Sequence, residues 1–164
     1  VERVLEAASR TVDKDAQLTG WHVVNASISG ETTGGGLARL SQSLLEHEPT
    51  VVIIELGGND ALRGYPVERI RTNLTSLVRL AKGQANQVLL LGMQIPPNYG
   101  PRYTEAFAQL FVEVAAAERV ALVPFLLEDV ALNPTLMQRD GIHPTSAAQG
   151  LLLETVWPHL EPLL

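Results

Sequence analysis

The sequence predicts an α/β domain built on a parallel sheet. Short apolar runs at residues 51–54, 88–91 and 120–123 alternate with longer stretches of helical periodicity, and a parallel crossover needs a helix between its strands. At 164 residues, 46% of them hydrophobic and 18% charged, the chain is long and apolar enough for one domain with its own core.

The elements follow in order. Residues 1–10 read as a helix, because Val1, Val4, Leu5 and Ala8 recur at helical spacing with Glu2, Arg3, Glu6 and Arg10 between them. Residues 21–26 look like a short strand that runs into a small-residue loop over 27–36. Leu37, Leu40, Leu44 and Leu45 mark an amphipathic helix stopping near Pro49. Residues 51–56 form an apolar run broken only by Glu55, which suits a strand covered on both faces. Val67, Ile70, Leu74, Leu77 and Leu80 give the next helix, and residues 88–92 the next strand. A proline-rich loop over 94–101 leads into a helix over 103–118, with Phe107, Leu110, Phe111 and Val114 inward. Residues 120–124 read as a fourth strand, 140–144 as a loop, and 145–160 as a closing helix with a stop at Pro158.

Composition excludes several classes. The net charge is −6, and no basic run offers phosphates a landing site, so a nucleic-acid partner is not expected. The chain has no cysteine, which removes disulfides, thiol nucleophiles and thiolate metal sites. No apolar run approaches the ~18–20 residues of a membrane span. His22, His47 and His159 lack ligand partners at zinc spacing, so neither a metal nor a cofactor is expected. The chain shows no signal peptide and starts at Val1 rather than Met, so it is expected to begin inside a longer gene product.

Ligands of open parallel sheets bind outside the carboxyl ends of the strands. Loops after strands are therefore the places to look for chemistry. Asp140-Gly141-Ile142-His143-Pro144 is the sharpest signal. A carboxylate three residues before a histidine can turn back to accept the Nδ1 proton, leaving Nε2 as a general base. The plain alternative is an Asp turn beside a surface histidine. Gly57-Gly58-Asn59-Asp60 follows a buried strand directly. There an Asn amide or a glycine N–H can donate to a developing oxyanion, although the same residues also make ordinary tight turns. Gly30 offers another backbone donor at the same rim, or a turn. Residues 30–36 fail as a phosphate loop, since Gly36-Leu37 stands where Lys and Ser or Thr belong.

Together these blocks resemble the SGNH (GDSL-type) hydrolases, and within them the bacterial thioesterase I, lysophospholipase and arylesterase branch. The resemblance rests on Val24-Asn25-Ala26-Ser27-Ile28-Ser29-Gly30, on Glu55-Leu56-Gly57-Gly58-Asn59-Asp60 with Leu62-Arg63-Gly64, on Pro97-Asn98-Tyr99-Gly100-Pro101-Arg102-Tyr103, and on Asp140 to Pro144. It implies a three-layer α/β/α sandwich with a flavodoxin-like parallel sheet. It implies hydrolysis of small acyl esters or thioesters through an acyl-enzyme. Gly30 and Asn59 would be oxyanion donors, His143 the base and Asp140 its orienting carboxylate. Met93, Gln94, Ile95, Pro96, Pro97, Asn98 and Tyr99 would form a mobile loop lining the acyl pocket. A periplasmic or secreted location is also implied. Glu31 departs slightly from the pattern, since many relatives carry Asp there.

A larger departure concerns the nucleophile. These hydrolases take it from a Gly-Asp-Ser block after the first strand, and that block does not occur in the 164 residues. The chain is therefore expected to be a single hydrolase domain over residues 1–164, incomplete at its N-terminus and inactive or weak as given. Ser29 is the best remaining serine, but it would sit on the oxyanion side and its flanks are not a nucleophile elbow. The family's first strand is central to the sheet. Without it the chain is expected to be unstable, rearranged, or completed by a strand from elsewhere or by a second copy. The alternative on the same fold is a non-catalytic acyl- or carbohydrate-binding module. A phosphate-binding receiver or nucleotide fold ranks below both, for want of a phosphate loop and an acidic cluster.

Overall fold

The described residues hold a three-stranded parallel sheet, in the order Val51–Ile54 (β1), Gln87–Leu91 (β2) and Ala121–Val123 (β3). The computed structural model describes residues 22–164. The expected helix over 1–10 and Trp21 lie outside the described residues. The described elements are α1 (Thr33–His47), β1 (Val51–Ile54), α2 (Gly58–Leu62), α3 (Val67–Lys82), β2 (Gln87–Leu91), a 3-10 turn (Pro97–Tyr99), α4 (Pro101–Glu118), β3 (Ala121–Val123), a 3-10 turn (Ser146–Ala148), α5 (Gln149–Leu160) and a last 3-10 turn (Glu161–Leu163). They fall into two compact units: Gly30–Leu126 with Pro158–Leu164, and residues 22–29 with Leu127–Trp157.

In the first unit, β1 pairs with β2 from Val51↔Gln87 to Ile54↔Leu90, and β2 with β3 from Leu89↔Ala121 to Leu91↔Val123. Helices make both crossovers, as parallel pairing demands. Strand β2 alternates: Val88 and Leu90 join a core with Ile70, Leu74, Leu77, Phe107, Leu110 and Phe111. Leu89 and Leu91 point to the other face and are equally buried. Phe107 and Phe111 meet edge to face, with ring centres 5.2 Å apart, a geometry worth about 0.5–1.5 kcal/mol beyond area burial.

Four expectations need correction. Residues 22–26 are not a strand; they have no ladder partner among the described residues, and Val24 is 41% exposed. The helix expected from Leu37 begins at Thr33 instead. The Thr32 hydroxyl caps it by accepting from Gly35 N at 3.2 Å, which draws Gly34, Gly35 and Gly36 out of the expected loop. Gly36 also lets α1 approach the sheet closely, since a Cβ there would collide with Leu56 Cδ1. Two strands are shorter than expected: β1 ends at Ile54, leaving Glu55 and Leu56 to turn toward α2, and β3 is confined to Ala121–Val123. Pro158 does not stop α5, which runs two residues beyond it to Leu160, while its expected first turn at 146–148 is 3-10. No helix among the described residues is long and apolar enough to cross a membrane.

Candidate active site

The second unit builds the Asp140 loop from local bonds. Met137 and Pro144 form an antiparallel bridge. Gln138 N donates to His143 O, and Thr145 N to Leu136 O, each at 2.7 Å. The chain reverses between them as Gly141 N donates to Gln138 O at 3.0 Å. This pinch folds Asp140 onto the residues that follow. Its Oδ1 accepts from Ile142 N at 2.9 Å and His143 N at 3.0 Å. Its Oδ2 lies 2.8 Å from His143 Nδ1. The His143 ring and its two backbone partners hold the Asp140 carboxyl well below the usual carboxylate range. An ionised Asp140 accepts a hydrogen bond from Nδ1–H, which keeps the proton on Nδ1 and leaves the Nε2 lone pair as the basic site. The side chains are 53% and 44% exposed, open to a reactant.

The first unit builds a different arrangement after β1. Gly57 sits at φ 120°, a conformation that only glycine adopts easily, and turns the chain from the strand into α2. Helix α2 and its C-cap residue Arg63 then grip residues 30–33. Asn59 Nδ2 donates to Glu31 O at 3.0 Å. Arg63 donates to Gly30 O at 3.1 Å. Asp60 accepts from Thr33 N at 2.8 Å on Oδ2 and from Thr33 Oγ1 at 2.6 Å on Oδ1. Asn73 Nδ2 completes the set by donating to Thr33 Oγ1 at 3.0 Å. An Asn amide has two N–H bonds. Asn59 spends one of them on Glu31 O.

The model of the GDSL-like Lipase/Acylhydrolase family matches residues 6–151. The chain belongs to that family. It is 57% identical over 144 residues to Esterase TesA of Pseudomonas aeruginosa, covering 88% of this chain and 72% of that one. It is 46% identical over 134 residues to an arylesterase of Vibrio mimicus, covering 82% and 67%. A crystal structure of TesA superimposes with a TM-score of 0.89 at 53% identity, covering 95% of this chain and 88% of the other. By this membership the chain is of carboxylic ester hydrolase lineage, and its α/β fold is the family's.

The remaining residues singled out in this acylhydrolase sequence are placed as follows. Gly30 and Asn59 share the first unit, and Asp140 and His143 the second. In the 93–99 loop, Met93 and Ile95 pack against the core, while Gln94, Pro97 and Asn98 are exposed. Tyr99 ties the loop's far end down by donating to Leu62 O at 3.0 Å. Ser29 is exposed at the start of a turn.

Five residues to which the sequence assigned no role stand out in the structure. Asp60 is 1% and Thr33 0% exposed, and they are the buried polar residues among those described. Asn73 carried a usable signal, since it lies on the inward stripe of Ile70, Leu74 and Leu77, where an amide needs a partner. Tyr103 donates to Tyr65 O at 2.5 Å; burial, then the nearby Asp60 and Tyr99, push its hydroxyl pKa up. Glu55, half-buried as a residue, has its Oε2 shut off from solvent with no partner among the described residues. Burial pushes its carboxyl from 4.5 up to about 7.

Proposed function

We propose that this protein is a serine ester hydrolase acting on acyl esters or thioesters, with His143 as general base and Asp140 as its orienting carboxylate. The Gly30 N–H and the Asn59 amide serve as oxyanion donors. The observation that carries the reading is the 2.8 Å contact between Asp140 Oδ2 and His143 Nδ1, within a loop whose own hydrogen bonds fix both residues. Nε2 accepts the proton of the serine hydroxyl as the serine oxygen bonds to the substrate carbonyl. The carbonyl oxygen becomes an oxyanion held by N–H donors. Collapse breaks the ester or thioester bond, and the leaving alcohol or thiol takes the proton from His143. Water then repeats the cycle on the acyl-enzyme, with Nε2 again as base.

The serine comes from a Gly-Asp-Ser segment that these 164 residues do not contain. By themselves they hydrolyse esters weakly or not at all. Ser29 does not replace that serine, because it lies on an exposed turn without a strand-to-helix elbow. The substrate side is formed by the 93–99 loop, with Met93 and Ile95 as its apolar members.

The test is hydrolysis of p-nitrophenyl acyl esters by the protein carrying that segment. His143→Ala is expected to lower kcat by about 10³–10⁴-fold, with the circular-dichroism spectrum unchanged. Unchanged kcat in that variant overturns the assignment.

A further inference from the structure

We propose that Asp60 is a positioning residue that fixes the spacing between the two oxyanion donors, Gly30 N–H and the Asn59 amide. This rests on the ester-hydrolase reading above and extends it to a residue that touches no substrate.

Helix α2 and its C-cap residue Arg63 hold the 30–33 segment at three points: Arg63 on Gly30 O, Asn59 on Glu31 O, and Asp60 on Thr33. The three grips are unequal. Arg63 is exposed and Asn59 half-buried, but Asp60 is sealed from solvent at 1% exposure. A buried carboxylate with both oxygens engaged makes short, charge-assisted bonds that water does not compete for. At 2.6 and 2.8 Å they are the two shortest between α2 and the 30–33 segment. One of them takes an N–H from the first turn of α1, a group with no partner inside its own helix.

Direction is fixed as well as distance. Thr33 Oγ1 accepts from Asn73 Nδ2, so its hydrogen is committed to Asp60. Asp60 O in turn accepts from Tyr65 N at 3.0 Å, which anchors the carboxylate's own backbone. Asp60 is the next residue after Asn59, and Thr33 lies three residues after Gly30. A slip at the Asp60–Thr33 contact therefore moves one donor against the other. Oxyanion stabilisation depends steeply on donor placement, so the slip costs turnover rather than ground-state binding.

The experiment measures p-nitrophenyl ester kinetics in the active protein for Asp60→Asn, Thr33→Val and Thr33→Ser. Asn presents one acceptor oxygen where two are used, and Val removes the hydroxyl while keeping the shape. Asp60→Asn and Thr33→Val are expected to lower kcat by about 10–100-fold with KM within twofold. Thr33→Ser, which keeps the hydroxyl, is expected to recover most of the loss seen in Thr33→Val. A kcat within twofold of the parent in both damaging variants overturns the proposal, as does a loss carried entirely by KM.

A second readout needs no activity. In ¹H–¹⁵N spectra, Thr33→Val is expected to shift the Gly30 amide and the Asn59 side-chain amide together. Unshifted signals overturn the clamp, and this holds even if Asp60→Asn fails to fold. If the parent hydrolyses no ester, the functional reading falls, and the amide signals still decide the clamp.

Discussion

Two aspartates in this chain are held by hydrogen bonds in opposite ways. Asp60 reaches 27 residues back in sequence to Thr33 and is 1% exposed. Asp140 reaches three residues forward to His143, and its side chain is 44% exposed. The first contact joins segments that the sequence keeps apart, inside a region without water. The second is made within one loop, in contact with water. A buried acceptor that is lost leaves donors unsatisfied, and the fold bears the cost. An exposed acceptor that is lost is replaced by water, and only the chemistry it oriented suffers. In this account Asp60 secures a frame and Asp140 orients a base.

The two aspartates are expected to respond differently to substitution. Asp140→Asn in the active protein is expected to lower kcat by about 10²–10⁴-fold, with the urea midpoint nearly unchanged. Esterase kinetics beside a denaturation curve check both halves. Asp60→Ala leaves the Thr33 N–H and hydroxyl without an acceptor, at about 1–3 kcal/mol each. Unfolding free energy from urea is expected to fall by about 2–5 kcal/mol. A drop below about 0.5 kcal/mol, the scale of ordinary surface changes, would place water in that site.

Glu55 sharpens the comparison with pH. Its carboxyl is raised in the fold, so the folded state holds a proton that the unfolded chain has released. Its contribution to stability is complete below pH 4.5 and is lost as pH rises through about 7. Glu55→Gln, neutral at every pH, is expected to raise Tm at pH 8 relative to the parent and to change it little at pH 4.5. Thermal melts at the two pH values check it. Asp140 runs the other way in sign: its depressed carboxyl favours the fold above the ordinary carboxylate pKa and loses that as pH falls below the range, an effect that water around its 44% exposed side chain keeps small. The smallest effect belongs to the pair Arg79–Glu118, in which the Arg79 side chain is 69% exposed and the carboxylate is lowered mainly by its bond to Arg79. Glu118→Gln is expected to leave Tm within about 1 °C, since an ion pair with one partner largely in water contributes little.

What the sequence made legible follows the same division. The Asp140–His143 contact could be read because three residues of chain and one Gly141 turn set its distance. The alternation of strands and helices could be read because β2 is apolar along both faces and α3 carries a clear stripe. The Asp60–Thr33–Asn73 set could not, since three polar residues spread over 40 positions carry no local period. The cap at Thr32 was obscured by Gly34, Gly35 and Gly36, whose poor helix propensity is overridden by the cap and by close packing on Leu56. Residues 22–26 have the composition of a strand but lack a pairing partner among the described residues, and composition alone does not supply one.

The most direct measurement is p-nitrophenyl ester hydrolysis by residues 1–164, with and without an added peptide carrying a strand and the Gly-Asp-Ser block. Little or no turnover is expected from the chain alone. With the peptide present, turnover should appear and be abolished by His143→Ala. Turnover without the peptide would contradict these expectations by placing the nucleophile inside the chain, with Ser29 the first residue to substitute. Silence in both cases alongside retained acyl-ligand binding would contradict them in favour of a binding module.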